Sequence, residues 1–240
     1  MKVRALIAAF LLLLLAPALS WGGTFTDNFT RADNTDLGAD WDVQITNGAG
    51  QIVGNRVRVT TLTQNMTESV NALVPGANQF ARITLATWTG ASNGEGGVIL
   101  RAASPTTETF YGFKAIKNAA STSEIFKRIG GVFTSLASSA TETWVAGDVL
   151  ELQVNGSTLI GYRNGIQVLS ASDTEILTGR IGLAAYEEGA LTDVELDSFV
   201  GGDVVISFIG SAVGSSSPNT GTTVTLPGSM ATNDLIIVVA

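Results

Sequence analysis

This chain contains no His and no Cys. That removes the imidazole base, the thiolate nucleophile, the Ser-His-Asp triad and the His/Cys zinc site together. Chemistry is left to carboxylates, arginines and aromatics. Asp193, Glu195 and Asp197 alternate along one segment, and on a regular strand alternation sets all three on one face. Like charges in such a row face solvent or a cation more readily than they form an acid–base pair. Glu187-Glu188 is the other dense acidic spot. No catalytic residue is assigned. A sugar site needs an aromatic platform beside a few polar groups. Trp88 stands before the Gly/Ser/Asn-rich stretch 89–97, and Tyr186 opens onto Glu187. Arg101 ends one apolar run and Tyr111 lies in the next. Arg offers a fork for carboxylates or vicinal hydroxyls, and Tyr a ring with a hydroxyl tip. Trp88, Arg101, Tyr111, Tyr186 and Glu187 are therefore the candidate carbohydrate-binding rim. The alternative is that the aromatics pack inward and Arg101 closes a sheet edge.

The elements that must carry these residues read as short strands. Residues 51–59 end in alternation, with Val57 and Val59 opposing Arg56 and Arg58. Residues 79–85 alternate likewise, Ala81, Ile83 and Leu85 against Phe80, Arg82 and Thr84. Asn155-Gly156 and Asn164-Gly165 each supply a pair that tolerates positive φ, as a tight type I′ hairpin requires. About a dozen such runs between residues 25 and 200, with no amphipathic helical stripe, predict an all-β, two-sheet antiparallel sandwich.

Lys2 and Arg4, the apolar run 5–16, Pro17 and the small residues of Ala18-Leu19-Ser20 have the layout of a signal peptide over residues 1–20. The run is short for a membrane span, so no membrane association is expected after cleavage. An exported location follows, secreted or at the cell surface. The net charge is −8 over 240 residues, and removal of Lys2 and Arg4 makes it more acidic. Such a chain lacks the clustered cations that phosphate binding needs, so nucleic acid is not an expected partner. Without Cys no disulfide staples the fold. The length permits a sizeable core instead.

Several segments are similar, in order and spacing, to concanavalin A-like (laminin G-like) jelly-roll domains. The opening Phe25-Thr-Asp-Asn-Phe29, then Arg31, Leu37-Gly38 and Trp41, resembles their start. Gly97–Arg101 with Phe110-Tyr-Gly-Phe113 resembles their central strands. Leu150–Leu159 with Tyr162-Arg-Asn-Gly165 resembles a late hairpin, and Arg180–Leu183 and Asp197–Gly201 the last two strands. The resemblance spans residues 24–201. It implies two curved sheets whose first and last strands pair, which brings Asp27 near Asp197. Relatives often hold a structural Ca²⁺ at such a place, and Ca²⁺ favours hard oxygen ligands. The alternative is that both aspartates cap strand ends in solvent. The glucanase branch carries Glu-x-Asp-x-x-Glu on one strand, and this chain has no such run.

Beyond a joint at Gly201-Gly202, residues 203–240 read as the truncated start of a second β module. The expected function is an exported, non-catalytic carbohydrate-binding or adhesion module of a multi-module protein. Its partners would be a polysaccharide or glycan and further β modules of the same polypeptide. Two alternatives stand beside it. One is a polysaccharide-processing enzyme, of glycosidase or lyase type, with unrecognised catalytic groups. The other is a structural spacer in a surface or phage-tail-like assembly.

Overall fold

The computed structural model describes residues 23–44, 48–103, 105, 107–120 and 122–204. The leader expected over residues 1–20 and the module expected from residue 203 lie outside these, save for Asp203 and Val204. The described strands form two antiparallel sheets in the jelly-roll, concanavalin A-like arrangement. The first sheet runs β13 (Ile166–Ser172), β12 (Thr158–Arg163), β11 (Val149–Asn155), β6 (Gln79–Trp88), β15 (Val194–Asp203), β4 (Arg56–Val59) and β3 (Gly50–Val53). In it β1 (Thr24–Asp27) also pairs with β15. The second runs β10 (Val132–Ser139), β9 (Ser123–Ile129), β8 (Phe110–Lys117), β7 (Gly94–Ala102), β14 (Arg180–Glu187), β5 (Met66–Val70) and β2 (Trp41–Val43).

The period-two pattern explains why these runs are strands and where the core lies. Ile83 and Leu85, Leu150 and Leu152, and Leu196 point inward from the first sheet. They meet Val98, Leu100, Tyr111, Phe113 and Leu183 from the second, all fully buried in one cluster. Each large apolar side chain so enclosed stabilises the fold by roughly 1.5–3 kcal/mol, which is how a cysteine-free sandwich holds together.

Turn chemistry sets the registers. Asn164 and Gly165 both have positive φ, 51° and 77°, as a type I′ turn demands. The earlier Asn-Gly pair behaves differently. Asn155 is still in β11, opposite Thr158, and the two-residue turn is Gly156-Ser157 with only Gly156 at positive φ (58°). Glycine in the first central position is the type II′ solution, so the turn sits one residue later than the sequence suggests. Gly201 and Gly202, read as a joint, are strand residues instead. They pair with Phe25 and Thr24, and Asp203 accepts the N–H of Gly23 at 2.9 Å.

Alternation holds along the acidic segment: Val194 and Leu196 both enter the core, so Glu195 and Asp197 share the outer face of β15, and Asp193 lies just before the strand. The pairing with β6 shifts between Glu195 and Leu196, where Ala86 of β6 is the extra residue, and again between Asp197 and Val200, where the bulge in β15 comes after the acidic residues. Each carboxylate nevertheless has its own partners. Glu195 is tied to Arg56 at 2.9 Å and Thr87 at 2.7 Å. Asp193 receives the N–H of Ala190, and Asp197 that of Ser198. The three carboxylates do not act as a unit.

Candidate functional site

The outer face of the second sheet carries a small cluster separate from the core. Tyr111, Phe113 and Ala115 of β8 point into the core, so Phe110, Gly112 and Lys114 point out. On β9 the outward set is Glu124, Phe126 and Arg128. On β7 it is Glu95, Gly97 and Ile99, and on β14 Ala184 and Tyr186. Ile99, Ala102, Phe110 and Phe126 pack together there, with Ala184 against them. Phe133, opposite Arg128 on the edge strand β10, completes the surface. Its ring stacks on that of Phe126, centroids 5.2 Å apart and planes at 27°. Phe110 meets Phe126 edge-on at 6.2 Å. Gly112 makes this possible: a Cβ there would lie 2.3 Å from Cζ of Phe126. Phe133 remains 44% exposed.

Charged groups frame the rings. The Lys114 ammonium lies 5.3 Å from the centroids of both Phe126 and Phe133, within cation–π range. It bonds to Glu95 at 2.8 Å and approaches Glu124 at 3.3 Å. Arg128 pairs with Glu108 at 2.7 Å. A recess of ≈ 60 Å³ opens between Lys114, Phe126, Phe133, Thr67 and Ala184. That volume takes a few waters or one ring substituent. A larger ligand would lie across the face.

The five residues expected to form a rim are divided by the structure. Tyr186 pairs directly across from Glu95 and borders the face just described. Its hydroxyl donates to Glu188 at 2.7 Å, and that bond, with burial and the nearby carboxylates, pushes its pKa up to about 12. Trp88 is half-buried beneath the Lys117 ammonium, 5.8 Å from its ring. Glu187 is fully enclosed. It pairs with Lys117 at 3.1 Å and accepts the N–H groups of Glu188 and Gly189. Arg101 and Tyr111 are buried towards the opposite end. Arg101, 2% exposed, donates to the carbonyls of Ala77, Gly156 and Ile176. Tyr111 donates to Asp173 at 2.6 Å and accepts the N–H of Ile176. These are the bonds of groups that fasten strands and loops, so Arg101, Tyr111 and Glu187 do not form an accessible rim.

Strands β1 and β15 do pair, placing Asp27 opposite Phe199. The donors around Asp27 do not suit Ca²⁺. Its Oδ1 takes the N–H of Phe29 and the guanidinium of Arg31, and its Oδ2 takes Arg31 and the Trp41 indole. Burial alone would raise its pKa, but these donors together hold it below the usual value. Arg31 thus supplies the positive charge that a cation would bring. Asp197 adds only an oxygen bonded to Ser198. Among the described residues no group of three or more carboxylates is arranged to hold a metal.

The platform residues Phe126, Phe133, Lys114, Glu95 and Glu124 were not singled out by sequence. The signal was present in Glu124-x-Phe126-x-Arg128, where parity places an aromatic on the charged face of a strand.

No protein-family model matches the sequence, and no curated protein does. Solved structures match the fold. The carbohydrate binding module CBM66 from Bacillus subtilis is similar with a TM-score of 0.52 and 17% identity, over 67% of this chain and 92% of that one. A Bacillus subtilis protein of unknown function with a galectin-like fold gives 0.49 and 12%, over 74% and 94%. A legume lectin-like domain from Entamoeba histolytica gives 0.46 and 15%, over 69% and 91%. At these identities the likeness is one of fold. No described helix is long and apolar enough to cross a membrane.

Proposed function

We propose that this chain is an exported, non-catalytic glycan-binding module, and that the outer face of its second sheet is the binding surface. The observation that carries this reading is the half-exposed Phe133 ring, stacked on Phe126 and flanked by Lys114, Glu95 and Glu124. The C–H face of a sugar ring lies against an aromatic, while its hydroxyls need donors and acceptors at the margin. Both are within one surface here. The signal-peptide layout supports export. The fold similarity to a carbohydrate binding module is consistent with the role.

The test is Phe133→Ala, assayed by calorimetry against soluble neutral polysaccharides. The expected result is about a tenfold or greater loss of affinity, equivalent to about 1.4 kcal/mol, with an unchanged melting temperature. Equal binding by the variant and the parent would overturn the reading.

A second reading has one observation in its favour. Glu95 and Glu124 converge on a single ammonium, and glycosidases work with two facing carboxylates. Against it, Lys114 fills the gap where a scissile bond would lie. Release of reducing sugar that disappears in Glu124→Gln would favour the enzyme.

A further inference from the structure

We infer that Glu95 and Glu124 set the ligand class of this face: by holding Lys114 between them they admit uncharged glycans and reject those bearing uronate or sulfate. The inference rests on the glycan-binding reading above and deepens it. Lys114 is the cation nearest the platform, and its side chain is only 14% exposed. It contacts both carboxylates, Glu95 at 2.8 Å and Glu124 at 3.3 Å. The other cations described on the face are also matched, Arg128 by Glu108 and Arg180 by Asp42. Carboxylates therefore outnumber cations beside the rings. An anionic sugar laid on Phe133 would sit within a Debye length of Glu95 and Glu124. It would have to break an existing ion pair to gain one.

An uncharged sugar meets a different surface. An ammonium has three N–H donors, and one is given to Glu95 while Glu124 stands as a charge contact at 3.3 Å, so donors remain for a hydroxyl oxygen. Each carboxylate has two oxygens, so each can accept a sugar O–H beside its contact with Lys114. A pair of vicinal hydroxyls can thus donate and accept without displacing any charge. Discrimination of this kind comes from the repulsive element as much as from the attractive one.

The experiment compares the parent, Phe133→Ala, the double variant Glu95→Gln/Glu124→Gln, and that double variant with Lys114→Met added. The probes are a soluble β-glucan, a xylan and a mannan as neutral polymers, and polygalacturonate and dextran sulfate as anionic ones. Each is measured at low and high salt. The parent is expected to bind at least one neutral probe and neither anionic probe. The double variant frees Lys114 and should gain anionic binding by about tenfold or more, weakening in salt. Adding Lys114→Met should abolish the gain. If the parent binds an anionic probe and Phe133→Ala weakens it, the selectivity inference fails while the glycan-binding face stands. If the parent rejects anions but the double variant gains nothing, the assignment to Glu95 and Glu124 is overturned. If no probe binds, or binding ignores Phe133→Ala, the glycan-binding reading itself falls.

Discussion

The ammonium of Lys117 lies 3.1 Å from Oε2 of Glu187, with the two side chains 7% and 0% exposed. The pair ties β8 to β14 at the end of the sandwich where the β6–β7 and β14–β15 loops meet. Lys117 also donates to the carbonyl of Thr89, and the carbonyl of Glu187 accepts the N–H of Thr63. A buried pair adds little net stability over an apolar one, but removing one member strands the other charge. Glu187→Ala is therefore expected to destabilise the fold by about 3–5 kcal/mol. Lys117→Met combined with Glu187→Leu should cost less than the two single changes together. Urea unfolding of Lys117→Met, Glu187→Leu and the double variant checks the non-additivity.

Arg101 separates a structural role from a binding one. Its guanidinium reaches three carbonyls, those of Ala77, Gly156 and Ile176, and lies 5.9 Å from the Tyr111 ring centroid. Lysine carries a single nitrogen and cannot reproduce that fork. Arg101→Lys should lower stability by about 1–3 kcal/mol through unsatisfied buried carbonyls. Glycan affinity, measured where the variant is fully folded, should not change. A selective loss of affinity without loss of stability would return Arg101 to the binding surface.

The fold was legible because its determinants are local and periodic. Alternation in 79–85 and the Asn164-Gly165 turn are each set by a few neighbouring residues. The bulge in β15 was not legible, since a single added residue leaves the composition of the strand unchanged. It follows Asp197, so parity still sets Glu195 and Asp197 on one face; what parity could not show is that Arg56, Thr87 and the N–H groups of Ala190 and Ser198 engage the carboxylates separately. The proposed glycan face was missed for a different reason. Phe126 looks like any core aromatic until the register shows that Ile125, and not Phe126, faces the other sheet. Arg101 and Tyr111 misled because a polar tip does not say whether its partner is a ligand or a carbonyl. The pairing of β1 with β15 was implied by resemblance, yet Arg31 answers the charge of Asp27 from four residues away.

Gly112 is the position where backbone and platform meet most closely. Gly112→Ala would place a methyl 2.3 Å from Cζ of Phe126. The ring must then move, taking the stacked Phe133 with it. Overpacking of this kind costs about 1–3 kcal/mol. The expected outcome is a modest drop in stability and a larger drop in glycan affinity than a control glycine substitution away from the face. Retained affinity would show that the Phe126–Phe133 stack is not needed in its present geometry.

Glu68 gives the protein a pH dependence opposite to that of Asp27. It lies on β5, 2% exposed, and its Oε1 accepts the N–H of Gly50 at 2.6 Å. Burial pushes its pKa up to about 7, helped by Asp36 and Asp42 and opposed by the Gly50 bond. In the unfolded chain the group titrates near 4.5. Between those values the folded state holds the extra proton, so stability falls as pH rises. The contribution is complete below the unfolded pKa and lost as pH passes about 7, a change of roughly 3 kcal/mol. Asp27, held below its usual pKa, acts in reverse: its contribution is present above the unfolded value and lost as pH falls through the folded one. Glu68→Gln keeps an acceptor for Gly50 and removes the titration. It should flatten the stability profile between pH 4.5 and 7 and leave the variant more stable than the parent at alkaline pH. Urea midpoints across that range decide it, and an unaltered slope in the variant would mean that Glu68 is not the group responsible.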